Sequence, residues 1–167
     1  MKPMSRIITT ITGLLVWFIV VFGIYVVVHG HLTPGGGFQG GAVLASAVAL
    51  VLVAHGRQVT EKLFLKRKEG FSLFESVGLL GFIGLAFAGL GAAFFYNLLA
   101  GRGGLFGTPV PPGINPGDLN TAGVIPLMNF SVGLEVVCGL SLIAIFMLWG
   151  REQDLGSSPG REDHGGQ

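Results

Sequence analysis

Long apolar stretches separated by short polar or glycine-rich segments make up most of this chain. A helix needs about 20 mainly apolar residues to cross the hydrocarbon layer of a membrane. Four stretches approach or exceed that length, at residues 7–28, 38–54, 72–99 and 125–149. The pattern therefore predicts an all-α integral membrane protein with four transmembrane helices.

The first stretch, residues 7–28, also invites the interpretation of a cleavable signal peptide. The hydrophobic region of a signal peptide is about 7–15 residues long and is followed by a cleavage site of small residues. This stretch is longer and contains no charge, and His-Gly-His follows it. We therefore expect it to remain in the protein as the first transmembrane helix.

Lysine and arginine are distributed very unevenly between the loops. Nine of the ten lie before the first stretch, between the second and third, or after the fourth, and only Arg102 lies elsewhere. Cytoplasmic loops carry the excess of these residues. The sequence thus predicts both termini inside (N-in, C-in), with the glycine-rich segment 29–41 and the loop 101–124 facing outward.

The composition supports a membrane protein and limits its chemistry. Half of the 167 residues are apolar and 11% are charged, against about 25% charged residues in a soluble domain. We expect one transmembrane domain, residues 1–150, and a polar cytoplasmic tail, residues 151–167. A net charge of +1 gives no indication of nucleic acid as a partner. The single Cys138 excludes an internal disulfide and any site built from several cysteines.

The segment HGHLTPGGGFQGG, residues 29–41, has three possible interpretations: a phosphate loop, a metal site or a hairpin turn. It lacks the Lys-Ser/Thr pair that closes a nucleotide-binding P-loop. His29 and His31 have only Asp118 as an acid on the same side, which is a poor zinc set. Thr33 and Pro34 instead suit a helix cap and first helical position. We predict a hairpin turn leading into the second span, and no metal.

Glu135 is the sharpest candidate for chemistry. It lies ten residues after Ile125, which is about 15 Å into the span. A carboxylate at that depth costs at least about 2.5 kcal/mol and is a functional candidate by default. Two roles stay open: an ion-path or proton-relay group, or a protonated carboxyl that bonds between helices. We expect Asn129 to bond between helices, and Glu75 to favour the dipole at the start of span three.

Small residues recur at helical spacing in two of the spans. Membrane helices approach one another closely where such residues line a face. Two alternatives stay open, packing within the four-helix unit or packing against another subunit. The residues are Gly41, Ala45 and Ala49 in span two, and Gly84, Ala88 and Ala92 in span three.

Two segments, GHLTPGGGFQGG and LNTAGVIPLMNFSVGLEVVCGL, resemble the B subunit of Mrp-type multisubunit Na⁺/H⁺ antiporters, the MnhB family. The resemblance covers most of residues 5–150, with four spans in the expected order. The family motif falls on Pro34, Gly35, Gly36, Gly37, Phe38, Gln39, Gly40 and Gly41, and on Asn129, Gly133 and Glu135.

The resemblance implies a non-catalytic subunit of a prokaryotic plasma membrane, without a cofactor. Its expected partners are the other subunits of the antiporter and the lipid bilayer, with Na⁺ and H⁺ as the ions that the complex transports. The chain lacks the intramembrane Lys/Glu array of a pumping subunit, so we do not expect it to move protons alone.

Two alternatives to a free-standing antiporter stay open. The same ion-translocating module occurs in archaeal membrane-bound hydrogenases and sulfane reductases, and the chain could belong to such a redox complex. It would still not be the catalytic subunit, because it has no cysteine set for an iron–sulfur cluster. The other alternative is an autonomous four-helix adaptor or channel.

Overall fold

A computed structural model describes residues 4–32, 35–63, 68–89, 91, 93–109 and 119–156. Among these residues there are four α-helices, each with a stretch long and apolar enough to cross a membrane. The predicted all-helical fold with four candidate spans is therefore confirmed. The helices are α1 (Arg6–Val28), α2 (Gly37–Leu63), α3 (Lys68–Phe87) and α4 (Ile125–Gly156), and a 3₁₀ turn (Leu119–Thr121) precedes α4.

Helix α4 is central in the bundle and contacts the other three helices. It packs along both α2 and α3, while α1 packs mainly against α2. The helices therefore follow one another in space as α1, α2, α4 and α3, which leaves α1 and α3 on opposite flanks. The Met4 N–H donates to the Ala54 carbonyl at 3.1 Å, so the start of α1 lies beside the end of the apolar part of α2.

Helix α1 matches the predicted span to within one residue. The Ser5 hydroxyl caps it by accepting from the Ile8 N–H at 3.5 Å. Its large side chains mostly face outward, and Trp17 and Phe18 are more than 70% exposed. Such an exposed apolar surface suits contact with lipid.

Helix α2 begins at Gly37, later than the predicted cap at Thr33 and first position at Pro34. Those two residues lie outside the described part of the chain. The backbone before Gly37 is not helical, because Gly35 and Gly36 have φ angles of 148° and 77°. Positive φ angles of this kind are common only for glycine.

The predicted end of span two at residue 54 lies close to a break in α2. Gly56 has φ 68° and ψ −173°, which interrupts the helix. The apolar part is Gly37–Gly56, and the helix resumes beyond it to Leu63. A hydropathy pattern detects the apolar part and not the polar continuation.

Helix α3 differs most from its prediction, since it starts at Lys68 rather than 72 and ends at Phe87 rather than 99. The chain turns back at Gly89, where an added Cβ atom would lie 2.8 Å from the Tyr96 carbonyl oxygen. Glycine permits this close approach and is a poor helix former. The described residues that follow the helix, 88–89, 91 and 93–100, are therefore a folded loop and not a longer span.

The bounds of α3 also change two further expectations. Glu69 is the acid in its first turn, so Glu75 lies two turns into the helix and does not open it. Of the small residues predicted to share a face with Gly84, Ala88 lies in the turn after the helix, and Ala92 lies outside the described residues.

Helix α4 starts at Ile125, as predicted, and continues to Gly156. Its apolar part is Ile125–Met147. The predicted boundary between domain and tail at residue 150 thus falls inside the helix, and residues 157–167 lie outside the described structure.

Candidate functional site

The glycines of the HGHLTPGGGFQGG segment lie where three helices come into close contact. A Cβ atom added to Gly40 would lie 2.8 Å from the Val27 nitrogen on α1. Cβ atoms added to Gly37 and Gly41 would each lie 2.9 Å from backbone atoms of Gly133 on α4. Three helix backbones thus meet at this end of α2, and only residues without side chains fit between them.

The Asn129 side chain, from α4, lies against the turn that leads into α2. Its amide is close to Gly30 and Gly36, since Cβ atoms added there would lie 2.9 Å from Nδ2 and 3.0 Å from Oδ1. Asn129 Nδ2 is shielded from solvent and has no hydrogen-bond partner in the described structure. The same is true of both ring nitrogens of His31. Among the described residues Asn129 Nδ2 forms no hydrogen bond, so the interhelical bond expected of Asn129 stays a prediction.

The other motif residues at the start of α2 face outward. The Phe38 side chain is 62% exposed, and Gln39 is also exposed. The Gln39 side chain lies against Gly35, two residues before the helix. The motif therefore has a glycine face inside the bundle and a Phe-Gln face outside it, and only the outer face is available to lipid or to another protein.

Glu135 lies on the contact between α3 and α4, which we call the α3–α4 seam. It is partly buried, and a Cβ atom added to Gly78 would lie 2.8 Å from its backbone nitrogen. One turn away, the Ser131 hydroxyl would lie 3.1 Å from a Cβ atom at Gly81. Gly78 and Gly81 thus bring α3 against the face of α4 that carries Glu135.

A second carboxyl group lies on the same seam. Glu75 precedes Gly78 by one turn, and its Oε1 lies 3.2 Å from the position of a Cβ atom on Gly139. Gly139 follows Glu135 by one turn of α4, next to the buried Cys138. The structure therefore places the acids of two helices about one turn apart along one contact. The spacing of Glu75, Gly78 and Gly81 at i, i+3 and i+6 was the available sequence signal for this.

The two histidines of the motif have different environments. His29 stacks on Tyr25 with ring centroids 4.1 Å apart, and its Nδ1 lies 3.1 Å from the Tyr25 carbonyl oxygen. His29 therefore caps the C-terminal end of α1. In the described part of the chain, no three His, Cys, Asp or Glu side chains come together as a metal site.

Two asparagines that sequence reasoning did not single out fold the loop after α3 onto the start of α4. The Asn97 Oδ1 accepts from the Val124 N–H at 2.8 Å, and its Nδ2 donates to the Ala122 carbonyl at 3.1 Å. Asn120 accepts from the Phe106 N–H and donates to the Thr108 hydroxyl. The sequence offered one indication of this attachment, which is that Asn97 is a polar residue isolated among apolar ones.

An apolar groove lies between α1, α2 and α4. It is lined by Ile24, Leu44, Phe130 and Leu134 among others. These side chains offer no ligand to a cation, which requires oxygen or nitrogen donors. The groove is therefore suited to an acyl chain or an apolar side chain and not to an ion path.

Three comparisons identify related proteins. Residues 7–142 match a family model described as a domain related to the MnhB subunit of Na⁺/H⁺ antiporters. An uncharacterized protein of Methanocaldococcus jannaschii is 37% identical over 133 residues, which are 77% of this chain and 46% of that protein. A Staphylococcus aureus protein named as antiporter subunit mnhB2 is 43% identical over 54 residues, 32% of this chain and 38% of that protein.

A solved structure is also similar. It is a chain of the membrane-bound sulfane sulfur reductase, an archaeal respiratory membrane complex, with 33% identity and a TM-score of 0.69. The match covers 86% of this chain and 58% of that chain. This chain thus spans about half the length of these relatives. Because the family model covers most of the described helices, the chain belongs to the MnhB family of Na⁺/H⁺ antiporter subunits.

Proposed function

We propose that this protein is a non-catalytic membrane subunit of an Mrp-type cation/proton antiporter module. The observation that carries the proposal is the MnhB match over residues 7–142. The four apolar helices supply the membrane-embedded body that such a subunit requires. The transported ions would be Na⁺ and H⁺, and the partners would be the larger subunits that move them.

The sulfane reductase similarity favours a second host for the same module. That relative belongs to a respiratory membrane complex and matches 86% of this chain. In such a host, the redox reaction would occur on other subunits, and this chain would keep its place in the ion-translocating part.

We infer an N-in, C-in orientation in a prokaryotic plasma membrane. The support is the bias of nine basic residues against Arg102. The bond between Met4 and Ala54 fits this orientation, because it puts the start of α1 and the end of α2 at one end of the bundle. The glycine-rich turn and the loop held by Asn97 would then face the outside.

We infer that Glu135 borders the ion path of the complex. Apart from Arg6 at the start of α1, the four described spans contain no Lys or Arg that could neutralise it. An acid in such a setting is protonated, hydrated or paired with a group from outside the chain. Its position on the α3–α4 seam, one turn from the Glu75 carboxyl, supports a shared proton- or cation-exchanging role for the two acids.

Affinity purification from the native membrane tests the proposal. The tagged chain should retain antiporter-type subunits, and deleting its gene should abolish Na⁺/H⁺ antiport in inverted vesicles until the gene is restored. Retention of hydrogenase or sulfane reductase subunits would identify the second host. Purification of the chain alone as a conducting homo-oligomer would contradict both.

A further inference from the structure

Two apolar cavities on one flank of the bundle join into a single groove. The first, of about 130 Å³, is lined by α1, α2 and α4, and the second, of about 240 Å³, is lined by α1, α4 and the loop residue Phe106. Val27, Val28 and Phe130 line both cavities, so the two are continuous, and we call them together the α1–α4 groove. The groove exists because α1 packs along α2 and makes little contact with α4.

The α1–α4 groove is as long as one leaflet of the membrane is thick. The deepest α4 residue of its lining is Val137, and the outermost are Pro126 and Leu127. The ten residues from Leu127 to Val137 rise about 15 Å along the helix, and half of a hydrocarbon layer about 30 Å thick is also about 15 Å. The groove therefore runs from the end of the bundle where α4 begins to the middle of the membrane.

The shape and chemistry of the groove select a hydrocarbon chain. Each described lining residue is apolar or glycine, so an ion or a water molecule finds no polar partner there. A helix is about 10–12 Å wide and crosses both leaflets, so it fits neither the volume nor the length of the groove. One apolar side chain from a neighbour fills one cavity and leaves the other open. An acyl chain fills both, since it is narrow and ends near the midplane.

The loop after α3 closes the outer end of the groove, and its own contacts hold it there. The Phe95 N–H donates to the Ala86 carbonyl at 3.1 Å, and the Phe95 ring packs on Phe82 with centroids 5.7 Å apart. Further along, the Gly123 N–H donates to the Phe106 carbonyl at 2.6 Å, just before α4 begins. Phe106 is therefore attached to the start of α4, at the mouth of the groove.

Arg102 lies beside this mouth. The Gly103 N–H donates to the Gly107 carbonyl at 2.9 Å, so Arg102 directly precedes the short turn that contains Phe106. Arg102 is exposed, and the described residues at this end of the bundle include no Asp or Glu that could pair with it. Arginine lays its apolar stem along a hydrophobic surface and keeps its guanidinium at the polar boundary. Phosphate is an anion that guanidinium binds well in that position.

We propose that the α1–α4 groove binds one acyl chain of a phospholipid whose phosphate contacts Arg102. The acyl chain fills the gap that α1 and α4 leave between them, and the phosphate neutralises a cation that has no counter-ion among the described residues. In the N-in, C-in orientation this lipid belongs to the outer leaflet. The inference goes beyond the antiporter role and holds whichever complex contains the chain.

Photoaffinity labelling tests the groove on the affinity-purified protein, with the subunits that it retains, in phosphatidylcholine nanodiscs. The probe is phosphatidylglycerol with a diazirine in the middle of one acyl chain. It should label Phe130 in the groove about tenfold more than Phe22, which is exposed on α1 outside the groove. The two phenylalanines are a matched pair, since both lie about 8–9 Å from the same end of the bundle. Equal labelling of the two would overturn the inference.

A groove-filling variant provides a second measurement. Leu134→Trp places a larger side chain in the groove, and Leu80→Trp, at an exposed position on α3, is its matched control. Leu134→Trp should lower the labelling of Phe130 to the value at Phe22, whereas Leu80→Trp should leave the tenfold difference in place. Undiminished labelling of Phe130 in Leu134→Trp would show that the lipid lies elsewhere.

The contact between phosphate and Arg102 is tested with a second probe, a diacylglycerol that carries the same acyl chains without phosphate. In the wild type, phosphatidylglycerol should label Phe130 about fivefold more than diacylglycerol, the equivalent of about 1 kcal/mol for one basic residue near the headgroups. Arg102→Gln should make the two probes equal, and Arg102→Lys should keep most of the difference. Equal labelling by the two probes in the wild type would overturn the proposed phosphate contact.

Discussion

Gly78 on α3 and Glu135 on α4 touch through their backbones, and a Cβ atom on Gly78 would lie 2.8 Å from the Glu135 nitrogen. The Ser131 carbonyl oxygen would be equally close, at 2.7 Å. Because helical backbone cannot yield as a flexible side chain does, Gly78→Ala should force the helices apart. We expect a loss of about 1–3 kcal/mol in the free energy of unfolding, measured by thermal denaturation in detergent.

Gly84→Ala is the control for that substitution on the same helix. Nothing lies within 4 Å of a Cβ atom at Gly84, and Ala is a better helix former than Gly by up to about 1 kcal/mol. This variant should therefore be as stable as the wild type or more stable. Equal destabilisation by both substitutions would show that the α3–α4 seam is not the close contact described.

Replacing Glu135 by glutamine should leave the complex assembled and lower its Na⁺/H⁺ antiport. Glutamine keeps the shape of the side chain but cannot exchange a proton, and losing a positioned acid or base costs about 10²–10⁴-fold in rate. Antiport in inverted vesicles, together with the yield of co-purified subunits, measures the two effects separately.

Glu69→Gln is the matched control for Glu135→Gln, since Glu69 is exposed in the first turn of α3. It should leave antiport at the wild-type rate. If Glu135→Gln also keeps the wild-type rate and Na⁺ dependence, Glu135 has only a packing role.

The position of Glu75 leads to a prediction about the two acids together. If Glu75 and Glu135 exchange the same proton or cation, removing one should make the loss of the other less costly. The double variant Glu75→Gln/Glu135→Gln should then be no slower than the slower single variant, because the effects of coupled groups are not additive. Antiport rates of the four proteins in one vesicle preparation measure this, and independent, multiplying effects would argue against a shared path.

The sequence predicted the fold class and the start of α4, because apolar length is a direct requirement of the bilayer. It misplaced the end of α3, since an apolar loop and an apolar helix have the same hydropathy, and only the contact of Gly89 with Tyr96 separates them. It also misplaced the start of α3, at residue 72 rather than Lys68, and this second error concealed the position of Glu75. With span three assigned to residues 72–99, Glu75 looked like a first-turn acid rather than part of the seam.

The glycine-rich motif shows a second limit of sequence reasoning. Gly40 and Gly41 are adjacent in the chain, yet one lies against α1 and the other against α4. Which neighbour each glycine meets depends on the spatial order of the helices. The spacing of small and apolar residues in α2 does not indicate that order.

The inner and outer faces of the motif should respond differently to substitution. Gly41→Val places branched carbon atoms against the Val136 side chain and the Gly133 carbonyl, both within 2.9 Å of an added Cβ atom, and should cost about 1–3 kcal/mol in stability. Phe38→Ala removes a ring that is 62% exposed, and should change the stability of the isolated chain by less than about 0.5 kcal/mol. Chemical or thermal denaturation of the purified chain compares them, and a larger loss for Phe38→Ala would reverse the assignment of faces.

Asn97 should determine whether the loop after α3 stays attached to α4. Its side chain holds both the Val124 N–H and the Ala122 carbonyl, and leaving buried partners of this kind unpaired costs about 1–3 kcal/mol. Asn97→Ala should therefore increase proteolytic cleavage and hydrogen exchange in residues 93–109. Asn97→Asp keeps an acceptor for Val124 and loses only the donor to Ala122, so its effect should fall between the wild type and Asn97→Ala. If residues 93–109 are as well protected in both variants as in the wild type, the loop is held by its aromatic contacts rather than by Asn97.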